Sequence, residues 1–128
     1  MKNAITIVQV LLGAMMFVFG INYYLKLLPS PPASIQAKAL LTAMSMSGYL
    51  MDFIKITETV CGALLLTRKF VPLALIILAP VVLNILMIHL FLNPSGIPMG
   101  LIITGMEGFL LWVYRDYYKG ILSINAKV

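Results

Sequence analysis

Four stretches of the chain are apolar for long enough to cross a lipid bilayer, and nothing else in the sequence constrains the fold as strongly. A membrane helix needs roughly 20 mostly apolar residues, because the hydrocarbon core is about 30 Å thick and a helix rises about 1.5 Å per residue. The stretches run from about 4 to 28, 47 to 66, 72 to 92 and 97 to 118. Composition agrees. Of 128 residues, 62% are hydrophobic and 10% are charged, whereas a soluble domain uses about 25% charged residues to cover itself against water. The expected fold is all-α: one transmembrane domain over residues 1–128, built as a four-transmembrane-helix bundle.

The breaks between spans have local causes. Pro29, Pro31 and Pro32 end the first, since proline cannot continue the hydrogen-bond ladder. Arg68 and Lys69 part the second from the third, and Asn93-Pro94-Ser95-Gly96 is a turn before the fourth. Pro72 and Pro98 stand near helix starts, where a missing N–H costs little. Pro80 lies inside the third span and is expected to kink it. Between the first two spans, Ser34 to Met46 reads as a short helix. Its Gln36, Lys38, Thr42 and Ser45 fall on one side, so it is expected to lie along the outer membrane surface. The first span is too long for a signal peptide and no small-residue cleavage site closes it, so it is expected to be retained.

Orientation follows from the basic residues. Lys2, Arg68, Lys69, Arg115, Lys119 and Lys127 fall on one side of the bundle, and only Lys26 and Lys38 on the other. Positive residues favour the cytoplasm, so both termini and the 66–71 loop are expected inside (N-in, C-in). Tyr23, Tyr24 and Tyr49 suit the outer interface; Trp112, Tyr114, Tyr117 and Tyr118 suit the inner one.

Ionisable groups are expensive in lipid and normally face a bundle interior or a cavity. Asp52, Lys55, Glu58 and Glu107 all fall within expected spans. Asp52, Lys55 and Glu58 recur every three residues and make one helix face polar, with Lys55 able to reach either acid. Counted along the helices, Glu58 lies about 16 Å and Glu107 about 15 Å from the outer ends of their spans, both near the midplane. Asn22, Asp52, Lys55, Asn84 and His89 lie in the outer half; the inner half holds chiefly Gln9 and Thr67. The expected site is therefore a ligand or proton pocket, open to the outside and floored by Glu58 and Glu107, with His89 about 11 Å shallower. The plainer role for the same residues is interhelical hydrogen bonding, which holds membrane helices together. Gly13 and Gly20, seven apart on one face, are expected to let a neighbouring helix approach closely.

Several chemistries are excluded. The net charge of +5 is spread beside apolar spans and forms no nucleic-acid face. Cys61 is the sole cysteine, which rules out an internal disulfide or a CxxC pair. His89 is the sole histidine, which rules out a bis-histidine haem site. No metal-ligand cluster, phosphate loop or nucleophile–base motif is present, so no catalytic residue is assigned.

Read together, the first span carrying Gly13, Gly20 and Lys26, the Gly48-Tyr49-Leu50 run with Glu58, Gly62, Leu64–Leu66 and Arg68 after it, and then Pro80, Asn84, His89, Pro94 and Gly96 resemble the DoxX family of small four-span bacterial membrane proteins. The resemblance covers nearly the whole chain. It implies a multi-pass protein of the bacterial cytoplasmic (inner) membrane, acting as the membrane subunit of a quinone- or thiol-linked redox system. A quinone or another small apolar molecule is then the ligand expected in the polar pocket, and the expected partners are the bilayer, a membrane or soluble redox protein and further copies of the chain. The lack of a CxxC pair argues against an independent thiol oxidoreductase. Two other functions fit the same residues: a transporter or permeation protein for a small polar solute, and an assembly factor that holds another membrane protein.

Overall fold

The computed structural model describes residues 1–29 and 32–125. Pro31 and Lys127, read above as a helix breaker and an inner charge, lie outside the described residues. Among those described, the secondary structure is entirely helical. Helix α1 covers Lys2–Leu25, α2 Ile35–Met46, α3 Leu50–Thr67, α4 Val71–Phe91 and α5 Ile97–Val113; short 3-10 turns at Pro94–Gly96 and Arg115–Tyr118 flank α5.

Helix ends are set by local chemistry. Lys26 closes α1 in the left-handed region (φ 54°) and donates its N–H to Asn22 O. Arg68 closes α3 at φ 59° and Phe70 opens α4 at φ 54°. Two left-handed residues in three turn the chain sharply and send α4 back antiparallel to α3. Ser34 caps α2, its Oγ accepting from Ala37 N at 3.1 Å. The same hydroxyl donates to Leu92 O, and Ser34 N donates to Asn93 Oδ1 at 3.3 Å, so the start of α2 is tied to the end of α4. α4 runs unbroken past Pro80, whose missing N–H leaves the carbonyl of Ile76 without its helical donor.

Helices α1, α3, α4 and α5 pack in a ring. α1 lies most extensively on α3, α3 on α4, α4 on α5 and α5 back on α1, so α3 and α5 occupy opposite corners. The centre is apolar: Leu12, Met16, Leu65, Leu75, Leu78, Ile103 and Leu110 are fully or almost fully buried. The close approach expected of Gly13 and Gly20 is present. A Cβ at Gly13 would stand 2.9 Å from Leu65 Cβ, and one at Gly20 2.8 Å from Lys55 O. Gly62 completes the seam from the α3 side, where a Cβ would meet Phe17 N at 2.5 Å and Gly13 O at 2.7 Å.

Three helical segments are long and apolar enough to cross a membrane: α1, α4 and the run Pro94–Val113. α3 is 18 residues long and carries Asp52, Lys55 and Glu58. Large apolar side chains face outward around the ring, including Leu11 on α1, Val60 on α3, Ile77 on α4 and Leu101 on α5. Such a surface suits a lipid environment.

Candidate functional site

The polar face expected on α3 is formed, with a division of partners that sequence spacing left undecided. Lys55 Nζ lies 3.3 Å from Glu58 Oε2, one helical turn along. Glu58 is buried and Lys55 is mostly shielded, so the pair is largely withdrawn from solvent. Lys55 also lies 6.0 Å from the centroid of the Tyr23 ring on α1, within reach of a cation–π attraction. Asp52 takes no part in this pair. It is exposed and accepts a hydrogen bond from Tyr24 Oη at 2.8 Å, which straps α1 to the first turn of α3.

Lys55 and Glu58 open onto a cavity of about 300 Å³ between α2, α3 and α4. Asn84 on α4 is the third polar group in its wall. The rest is apolar: Leu41 and Met44 come from α2, Met51 and Phe53 from α3, and Pro80 and Ile85 from α4. Apolar walls with a few polar groups are a lining that can receive a small molecule. A cation, a carboxyl group and an amide can together donate and accept hydrogen bonds.

The other expected members of the pocket stand elsewhere. Asn22 spends its side chain on the loop after α1, donating from Nδ2 to Leu28 O at 3.2 Å and accepting from Leu28 N at 2.8 Å. His89 packs against the α4–α5 turn. A side chain at Gly96 would overlap its ring, and a Cβ at Gly100 would stand 3.1 Å from its Cδ2. Its Nδ1 is buried and has no partner among the described residues. Glu107 is buried on α5, and both its carboxylate oxygens lack a hydrogen-bond partner among the described residues. The expectation of one pocket floored by both acids is thus replaced by a cavity holding Glu58 alone. The reason is topological: α3 and α5 sit at opposite corners of the ring, with apolar side chains such as Leu12, Met16 and Leu78 packed at its centre.

Two features of the site have little sequence signal. The α2 wall depends on how a loop folds back over the bundle, which periodicity does not encode. The polar network at the opposite end joins residues 105 apart. Gln9 Nε2 donates to Leu65 O at 3.1 Å, and Tyr114 Oη donates to Gln9 Oε1 at 2.8 Å. Tyr118 Oη donates to Pro72 O at 2.8 Å beside it. Beside this network a second cavity, of about 330 Å³, opens near Arg68 and Tyr117.

Together these features define a protein that is all-α among the described residues, with helices compatible with a membrane and two cavities near opposite ends of the bundle, each lined by a few polar side chains. Comparison with known protein families, curated proteins and solved structures finds no match.

Proposed function

We propose that the chain is a four-span membrane protein with both termini in the cytoplasm, and that it binds a small, largely apolar molecule in the cavity between α2, α3 and α4. α3 serves as the fourth span. At 18 residues it covers about 27 Å, and pairing Lys55 with Glu58 lowers the cost of holding both in lipid. The inner end is the one that gathers Lys2, Arg68, Lys69, Arg115 and Lys119. α2 then lies at the outer surface as a lid over the ligand.

The observation that carries this reading is the cavity itself, with apolar walls around three polar side chains, Lys55, Glu58 and Asn84. A quinone fits that set. Its ring suits the apolar walls, and its carbonyl oxygens accept from the Lys55 ammonium and the Asn84 amide. Bound there, a quinone would supply redox chemistry, and the protein would supply binding, orientation and a carboxyl group at Glu58. The likeness to the DoxX pattern, Glu58 with Gly62, Asn84 and His89, favours a membrane subunit of a quinone- or thiol-linked redox system in a bacterial inner membrane.

The test is mass spectrometry of small molecules retained by the gently purified full chain, followed by rebinding of a short-chain quinone. The expected result is one quinone equivalent, weakened by Asn84→Ala and by Lys55→Met. Retention unaffected by either substitution would overturn the assignment of the cavity. Topology is tested separately by cysteine labelling in intact cells. Ser95→Cys should react from outside and Lys69→Cys only after the membrane is opened; the reverse pattern would invert the orientation.

A further inference from the structure

The second cavity lies at the end of the bundle where α1 begins, α3 passes into α4 and α5 ends. Its wall differs in kind from that of the first. Arg68, Thr6, Gln9, Tyr114 and Tyr117 line it, together with Phe70, which is exposed. Gln9 and Tyr114 are fixed to one another and to α3, so the floor is rigid.

The donors around this floor are unspent. Among the described residues, no acid lies within ion-pairing distance of Arg68. Of the other cations at this end, Lys119 pairs with Asp116 at 3.1 Å, Arg115 lies over the Trp112 ring and donates to Trp112 O, and Lys2 and Lys69 do not line the cavity. Thr57, Thr59, Thr67 and Thr104 each return their hydroxyl to a carbonyl of their own helix. The hydroxyls of Thr6 and Tyr117 have no such partner among the described residues. One guanidinium and two hydroxyls without an internal partner therefore line a hollow whose other walls, Ile5, Val71 and Pro72, are apolar.

We propose that this cavity is a binding site for the phosphate group of an anionic phospholipid. A guanidinium presents a planar fork that matches two phosphate oxygens, and the hydroxyls of Thr6 and Tyr117 serve the others. Phe70 and the outward apolar face of α1 receive the glycerol and the upper acyl chain. Basic hollows at the ends of membrane helices select anionic headgroups in this way. The inference rests on the membrane-spanning reading above and is independent of the ligand assigned to the other cavity.

The test uses the full chain purified in detergent and native mass spectrometry with phosphatidylglycerol and phosphatidylcholine of identical acyl chains. Phosphatidylglycerol should be retained preferentially at one equivalent. Arg68→Gln should weaken that retention roughly tenfold, Arg68→Lys less, and Lys69→Gln by no more than about twofold. Equal retention of the two lipids, or equal losses in Arg68→Gln and Lys69→Gln, would overturn the site. Displacement of the lipid by soluble glycerol phosphate at matching concentration would overturn the lipid and assign the hollow to a free phosphate ester. If Arg68→Gln fails to fold, as judged by circular dichroism and size exclusion, Thr6→Val and Tyr117→Phe carry the comparison, each expected to weaken retention severalfold. Failure of the chain to float with vesicles would instead overturn the membrane reading.

Discussion

Gly62→Ala tests the tightest contact in the bundle. The added Cβ would stand 2.5 Å from Phe17 N, 2.7 Å from Gly13 O and 2.9 Å from Phe17 Cα, all of them backbone atoms that cannot rotate away. Ordinary contact begins near 3.4 Å, so α1 and α3 must part by most of 1 Å along their shared seam. Overpacking of this kind costs typically about 1–3 kcal/mol, occasionally more. Alanine returns up to about 1 kcal/mol through its better helix propensity. The net expectation is a loss of about 1–2 kcal/mol, or roughly 5 °C in the unfolding midpoint for a chain of this size. Gly105→Ala is the control, because nothing lies within 4 Å of a Cβ at that position and only the propensity gain remains. Both variants are compared with the parent by thermal unfolding in one detergent, followed by circular dichroism. If Gly62→Ala melts at or above Gly105→Ala, the backbone contact does not exist in the folded protein and the reasoning fails.

Three further outcomes are expected. Lys55→Met strands Glu58 without its cation and should cost about 2–4 kcal/mol, most of it recovered in Lys55→Met/Glu58→Gln; a single variant as stable as the parent would show the pair to be idle. Tyr114→Phe leaves buried Gln9 Oε1 without a donor and should cost about 1–2 kcal/mol in the same unfolding assay, whereas equal stability would break the assignment of that bond. Glu107→Gln replaces a buried carboxyl group that has no partner by a neutral side chain of the same shape, so stability should hold or rise, and a loss above about 1 kcal/mol would mean the carboxyl group is engaged by a partner.

The helices were legible because their cause is local. Runs of apolar residues, the prolines at 72 and 98 and the Asn93–Gly96 turn act within a few residues of themselves, and the start of α4 and both ends of the α4–α5 turn follow them closely, whereas α1 stops at Leu25 and α5 at Val113, short of the expected 28 and 118. The α3 polar face was legible for the same reason, since spacing by three fixes neighbours on one helix. Equal depth along two helices gave Glu58 and Glu107 one coordinate in common. It gave no information on the corner of the ring each helix occupies. Asn22 shows a second limit. A polar residue near a helix end has the backbone of the following loop within reach, and two bonds to Leu28 absorb its whole side chain.

Placement of the two buried acids bears directly on what the chain can do. A proton path through the bundle needs groups that exchange partners along it. Glu58 ends at Lys55 and a cavity, while Glu107 has no polar neighbour within bonding distance among the described residues. Between the two cavities lies the packed layer of Leu12, Met16, Leu75, Leu78 and Ile103. A small polar solute crossing from one side to the other would have to part that layer, which buried leucines at interior density resist. The geometry favours binding at each end over passage between them. That supports the proposed ligand reading of the cavity between α2, α3 and α4 over a transporter reading.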